Sequence, residues 1–292
     1  MTDDRETATP PIVLAFGSAD PSGGTGIQSD VLTLASMGCH PVSVITALTI
    51  QDSLGVEAVQ PIDAEWVADQ ARCLLEDMPI DAFKIGAMGS VENIAAIAEI
   101  LADYPDVPLV LDPLVASGSA DEPGNEAMLH ALIEMILPQT TILVSNGIEV
   151  RRLAETDDEE EAGIEAHASA LIRAGCEFVL VTGTHDRARD IVNTLYGKDG
   201  AMRSDTWQRL PGAYHGAGGT LSAAIAAMLA NGLALAEAVR EAQDFTWNAL
   251  ARSYRPGMGN RVPDRLFWAR EEASHPTAAE EAEPRRDALG NH

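Results

Sequence analysis

The chain has 292 residues, 46% of them hydrophobic and 22% charged, enough for one large α/β domain or two small ones. Its net charge of −26 comes from 45 acidic residues against 19 basic ones, and only Lys84 and Lys198 are lysines. Nucleic acid and anionic membrane each need a basic face, so this balance argues against both as partners, and an anionic ligand must be met by local features.

The N-terminus, "MTDDRETATPP", is acidic and polar, unlike a signal peptide, and no apolar run reaches the length of a membrane span. The expectation is a soluble, cytoplasmic protein. Cys39, Cys73 and Cys176 are odd in number and widely separated, which predicts three buried free thiols and neither a disulfide framework nor a zinc site. Residues 1–10 lack apolar periodicity, and 271–292 are charged and aromatic-free. Both are expected to be disordered tails around one domain over 11–270. The acidic run "ETDDEEEAG" from Glu155 predicts a solvated loop or helix start.

Between the tails, strands and helices alternate. "IVLAF" (12–16) predicts a strand, followed by a glycine turn and a helix from Gly26 to Met37. "PVSVITALTI" (41–50) is the next strand. Val67, Ala71, Leu74, Leu75 and Met78 then mark one helix face. "DAFKIGAM" and "VPLVLDPL" predict buried strands on either side of a helix carrying Ile94, Ile97, Ile100 and Leu101. "TTILVSN" and "CEFVLVTG" continue the series, and "DIVNTLY" with "RSDTWQRL" predict a hairpin around "GKDG". Two helices close the domain, one carrying Leu221, Ile225, Met228 and Leu229, the other spanning 234–251. Apolar strands joined by crossover helices imply a mainly parallel sheet covered on both faces, with ligands at the carboxyl ends of its strands.

Those ends carry the polar chemistry. The first leads into "GSADPSGGTGIQSD", where glycines let a ligand approach the backbone and Asp20 and Asp30 bracket the turn. Later ones lead to Asp112-Pro113, to "SNGIEV" with Asn146 and Glu149 three apart, and to "TGTH" at 182–185. Last comes "HGAGGT", a glycine turn opening into a helix whose first N–H groups have no intrahelical partner and suit an anion. Asn-x-x-Glu also fits a helix cap, and no Walker A or complete GxGxxG sequence is present.

"DPSGGTGIQSD", "VSVITALTIQDS", "FKIGAMGS", "LDP", "SNGIEV" and "HGAGGTLSAAIA" occur in the order seen in hydroxymethylpyrimidine/phosphomethylpyrimidine kinases, and residues 11–255 resemble that family. The resemblance implies a ribokinase-like three-layer α/β/α sandwich and phosphorylation of 4-amino-5-hydroxymethyl-2-methylpyrimidine and its monophosphate in thiamine biosynthesis, with ATP and Mg²⁺. By the same resemblance Asp30 and Gln51 contact the pyrimidine, Gln51 through an amide able to donate and accept, and Ser18, Asp20 and Ala87 face the same pocket. Asp112 and Glu149, with Asn146, hold Mg²⁺ and its waters; Thr182, Gly183 and Thr184 form the nucleotide-side loop; Gly216, Ala217, Gly218 and Gly219 form the anion hole. Relatives generally form dimers, which implies a homodimer.

Three positions depart from the family pattern. Ser18 stands where glycine is usual and Ala87 where methionine is usual. Gly219 replaces the usual cysteine. The last change keeps the backbone N–H for anion binding and removes the side chain expected to take a proton, leaving a neighbouring carboxylate such as Asp20 or solvent for that task. With Ser18 and Ala87 it opens one alternative, a weakly active or non-catalytic pyrimidine-binding paralogue; a kinase for another vitamin alcohol such as pyridoxal is a further alternative that fits less well, since pyridoxal kinases usually carry aspartate at the Gly219 position.

Overall fold

The computed structural model describes residues 9–113, 123–154, 163–183 and 189–274. The acidic run at 155–162, Thr184, and most of the two expected tails lie outside them.

Among the described residues nine strands form one sheet in the order β3-β2-β1-β4-β5-β6-β7-β8-β9. Six of them run parallel: β2 (His40–Gln51), β1 (Ile12–Ala19), β4 (Ala82–Ile85), β5 (Leu109–Leu111), β6 (Ile142–Asn146) and β7 (Phe178–Thr182). Antiparallel pairing closes both edges. β3 (Val56–Pro61) folds back on β2, and β8 (Asp190–Gly197) pairs with both β7 and β9 (Gly200–Gln208).

Alternation along β1 separates the two cores. Ile12, Leu14 and Phe16 join the layer that packs α2 (Ala64–Asp77), α3 (Val91–Ala102), α5 (Gly147–Ala154) and α6 (Ile164–Arg173), together with α4 (Pro123–Ala131) and the π-helical turn Leu132–Ile136 that continues it. Val13 and Ala15 face the opposite layer of α1 (Gly26–Ser36), α7 (Ala217–Ala230) and α8 (Leu235–Ala251). The result is the expected α/β/α sandwich.

α7 lies deepest. Every residue from Thr220 to Ala227 is buried, and its alanines let it sit close on the sheet between α1 and α8. Its polar start, Gly216 to Gly219, therefore stands at the rim formed by the carboxyl ends of the parallel strands.

Several elements differ from the expectation. β1 runs on to Ala19 through an irregularity between Gly17 and Ser18, so Ser18 belongs to the strand and not to the turn. β3 and α6 were not read from the sequence. Five of the six residues of β3 are exposed, so it lacks the half-buried alternation that marks a strand. The hairpin at 190–208 is as expected, with Gly197 opposite Gly200. The last helix, α9 (Phe267–Ser274), continues beyond the expected boundary at 270. Cys39 and Cys176 are buried, and burial pushes their thiols up to about 11 and about 12. Cys73 corrects the cysteine reading: it is exposed on α2.

The turn from β1 into α1 is tight. Gly26 has φ of +59°, and a Cβ there would lie 2.2 Å from the backbone oxygen of Ser18. Gly26→Ala combines a left-handed backbone with a clash against an immobile carbonyl and is expected to destabilise the fold by about 2–4 kcal/mol. Urea unfolding monitored by circular dichroism measures it; an unchanged midpoint contradicts this account of the turn.

Candidate active site

The loop after β1 is organised around Asp20. Its Oδ2 accepts from Ser22 Oγ (2.9 Å), Thr25 N (2.7 Å) and Thr25 Oγ1 (2.9 Å), and its Oδ1 accepts from Ser22 N (2.7 Å). Burial alone would raise the carboxyl, but these bonds from Ser22 and Thr25 outweigh it and hold the pKa below the usual value. Asp20 is thus a loop-organising acceptor of four hydrogen bonds, and its lowered pKa makes it a weak base. The expectation that it could stand in as proton acceptor for a missing side chain does not fit this geometry.

Gln51, at the end of β2, reaches the same loop. Its Nε2 donates to Thr25 Oγ1 (3.0 Å) and lies 3.3 Å from Nε2 of His215, which is in turn 3.5 Å from Asp20 Oδ2. His215 was not among the expected site residues, and its one sequence signal is its place directly before the glycine turn of α7. Ala87, just past β4, is tied elsewhere: its carbonyl accepts from Thr46 Oγ1 (2.6 Å) in the buried half of β2. Ser18 is buried at the end of β1.

The two glycine loops meet back to back. A Cβ on Gly216, whose φ is +95°, would stand 1.9 Å from Gly24 O, and one on Gly24 would stand 2.3 Å from the His215 ring. Only glycine permits that approach. Arg265 locks it: Nη2 donates to Gly24 O (2.7 Å) and Nε to Thr220 Oγ1 (3.0 Å), and Thr220 Oγ1 donates to Gly216 O (2.7 Å). Arg265 is almost wholly buried, and burial lowers its pKa to about 10. The sequence reading missed it, since a single arginine in "PDRLFW" lies far along the chain from either loop.

At the mouth of α7 the first helical bond is Thr220 N to Gly216 O (3.0 Å), so the N–H groups of Ala217, Gly218 and Gly219 precede the helical ladder and face outward. Two carboxylates flank them. Asp112, after β5, accepts from Ser222 Oγ (2.9 Å), and its Oδ1 would lie 3.8 Å from a Cβ on Gly218. Asp30, on α1, forms a buried ion pair with Lys84 of β4 (2.9 Å). Burial works against the charged Lys84, yet Asp30 and Asp112 together overcome it and hold the ammonium above its usual range.

Gly219 has a specific surrounding. A Cβ there would meet Ser29 Oγ at 3.6 Å and Asp30 Oδ1 at 3.9 Å, ordinary contact distances. Both atoms are buried and lack a hydrogen-bond partner among the described residues. The place of the absent side chain is therefore open to one, and lined by polar atoms.

Asn146 and Glu149 form a reciprocal cap at the start of α5: Asn146 Oδ1 accepts from the Ile148 and Glu149 N–H groups, and Glu149 Oε2 accepts from Asn146 N (3.0 Å). Burial pushes the Glu149 carboxyl up to about 7, against the pull of the Asn146 N–H and with help from the charge on Asp112. Thr182 pairs with Asn146 across β6 and β7. Gly183 follows it in the loop expected on the nucleotide side, where an outward N–H would suit a phosphate. Its N–H turns inward instead and donates to Asn193 Oδ1 (3.0 Å). Asn193 continues through Gln243 to Asp205, a buried relay with no local sequence signature.

The site thus has one end lined by Asp20, Gln51 and His215 and another lined by Asp112 and the mouth of α7, with the Asn146/Glu149 cap of α5 within the field of Asp112 and Asp30–Lys84 on α1 and β4 beside that mouth. A three-layer sandwich with an open helix start and carboxylates at the strand ends is the architecture of ribokinase-like phosphotransferases.

The family described as "Phosphomethylpyrimidine kinase" matches residues 20–264, and the chain belongs to that family. A hydroxymethylpyrimidine/phosphomethylpyrimidine kinase of Streptomyces coelicolor is 34% identical over 263 residues, 89% of this chain and 96% of the relative. The crystal structure of a phosphomethylpyrimidine kinase from Clostridium difficile is 31% identical with a TM-score of 0.69, covering 82% of this chain and 99% of that one. A Staphylococcus aureus pyridoxal kinase in complex with pyridoxal shares the fold at 24% identity, TM-score 0.80, over 90% of this chain and 96% of its own. The chain is a kinase, and no helix among the described residues is long and apolar enough to cross a membrane.

Lys84→Met leaves Asp30 as an uncompensated buried charge and is expected to cost about 3–5 kcal/mol, whereas the Asp30→Asn/Lys84→Met double variant costs clearly less than the sum of the two single changes. Chemical denaturation of the four proteins checks this; additive losses refute the pairing.

Proposed function

We propose that this kinase transfers the γ-phosphoryl group of ATP to the hydroxymethyl group of 4-amino-5-hydroxymethyl-2-methylpyrimidine and to the phosphate of its monophosphate, in thiamine biosynthesis. The observation that carries the reading is the join between Gly24 and Gly216, which sets the Gln51 end of the site directly beside the open N–H groups of α7. Curated relatives named for this activity, and nucleotide-bound structures of kinases sharing the fold, support it.

The donors at the mouth of α7 hold the phosphoryl oxygens where negative charge gathers, and the buried Lys84 and Arg265 add positive charge close behind them. Asp112 and Glu149 suit Mg²⁺. Among the described residues no group of three or more His, Cys, Asp or Glu side chains could hold a metal. Two hard carboxylates with the rest of the shell left to water and phosphate is the usual arrangement for this ion. Mg²⁺ bound there would neutralise charge on the transferred group. Asn146 caps α5 and holds the Glu149 carboxylate in position through its N–H. Asp20 orders the acceptor loop, and Gln51 orients the ring. The homodimer and the nucleotide-loop role of Thr182 to Thr184 remain part of this proposal.

Gly219 supports a second reading, a pyrimidine-binding protein with little turnover, because no side chain there can take the hydroxyl proton. Release of ADP with each of the two pyrimidine acceptors separates the readings. Turnover with either establishes the kinase reaction, and tight binding without product from folded protein overturns it. Gly219→Cys places its Cβ at ordinary contact distance from Ser29 and Asp30. It is expected to raise kcat, by up to about 10²-fold where proton removal limits the rate, with little change in the KM for ATP. An unchanged or lower kcat shows that the glycine is no handicap.

A further inference from the structure

The hydrogen bonds around Asp20 leave the Gln51 amide a single orientation. Asp20 is an acceptor-only carboxylate, so the hydroxyl proton of Thr25 points to its Oδ2 (2.9 Å). Thr25 Oγ1 has then no proton left and must accept, which brings Nε2 of Gln51, not Oε1, to its side (3.0 Å). The second hydrogen of that Nε2 faces His215 Nε2 at 3.3 Å, and only an unprotonated ring nitrogen accepts it. Both amide hydrogens are thereby used inside the protein. Oε1 alone is left for a ligand.

We infer that His215, neutral and carrying its proton on Nδ1, is a specificity-determining positioning residue: it holds the Gln51 amide with only the carbonyl oxygen presented, so that the acceptor site selects a heterocycle that donates a hydrogen bond, such as an amino-substituted ring. This inference rests on the reading of Gln51 as the ring contact, and it corrects the expectation that Gln51 both donates and accepts. A proton on His215 Nε2 would break the arrangement. Two donors would then face each other across 3.3 Å, while Asp20 Oδ2, 3.5 Å away, draws the imidazolium. Turning the amide over would set Gln51 Oε1 against Thr25 Oγ1, whose proton is committed to Asp20.

The other charged groups around His215 do not compete for its ring. Arg265 lies beyond Gly216 and spends its Nη2 on Gly24 O. Arg261 accepts the His215 N–H through its carbonyl (2.8 Å), while its guanidinium turns to Ser253. Tyr214, on the preceding residue, bonds Pro211 O.

The test has two arms. Nitrogen-15 NMR of the imidazoles in the unmodified protein at pH 8, with His215 assigned by comparison with His215→Gln, is expected to show Nδ1 protonated and Nε2 bare; the opposite tautomer overturns the inference whether or not the protein turns over. In steady-state kinetics at pH 8, His215→Leu, which removes the ring acceptor, is expected to raise the KM for the aminopyrimidine about tenfold or more, with kcat changing less. In His215→Gln, whose side chain can accept at the same place, KM is expected to return close to that of the unmodified protein; a KM as high as that of His215→Leu overturns the role given to His215. Absence of all turnover would count against the pyrimidine kinase reading and leave the NMR result to decide the inference.

Discussion

Everything chemical in this molecule depends on two backbone segments touching where side chains would keep them apart. Gly24 closes the loop after β1, Gly216 opens α7, and a methyl group on the latter would fall 1.9 Å from the carbonyl of the former. The contact brings the loop that carries Asp20 and meets Gln51 and His215 alongside the open N–H groups of α7. It also leaves a carbonyl without secondary-structure partners in a nearly dry place. Arg265 satisfies that carbonyl and reaches Thr220 on the next turn of the helix, so one guanidinium fixes both loops.

The same neighbourhood explains how a chain of net charge −26 can hold an anion. One of its two lysines, Lys84, is spent in the interior, paired with Asp30 and within the field of Asp112. Arg265 is buried as deeply. Two cations in a low-dielectric place close to an open helix start act over short distances with little screening, while the acidic surface is damped by salt within about a Debye length. Local field outweighs global charge here because the first is buried and the second is not.

What was legible in the sequence follows from range. The parallel strands, the glycine turns and the Asn146/Glu149 spacing are local patterns, each set by periodicity or by the φ that a turn demands, and the family resemblance ordered them. Arg265 was invisible because its partners lie 241 and 45 positions away, and nothing in "PDRLFW" points to either. The inward turn of the Gly183 N–H depends on Asn193 and Gln243, which meet only when β8 and α8 pack. Cys73 was misjudged for the opposite reason. Burial preference is an average over proteins, and position 73 falls on the solvent side of an amphipathic helix whose buried face is Val67, Ala68 and Ala71. β3 escaped because an exposed edge strand has no hydrophobic alternation to display.

Gly219 brings these strands of argument together. At that position α7 is helical and a Cβ meets only ordinary contacts, so neither a turn nor a close approach requires glycine, unlike Gly26 or Gly216. The residue is a matter of chemistry and not of folding. Ser29 and Asp30 bring to the gap oxygen atoms that have no partner among the described residues, an arrangement that makes sense beside a polar side chain and is costly beside none. What glycine leaves intact is the N–H. In a loose phosphoryl transition state the charge to be stabilised sits on the equatorial oxygens from the start, while the nucleophile's proton can depart late. The framework built by Gly24, Gly216 and Arg265 serves the first need and is indifferent to the second. For the proposed reaction, a site of this construction would lose its proton acceptor and keep the geometry that aligns the reacting groups.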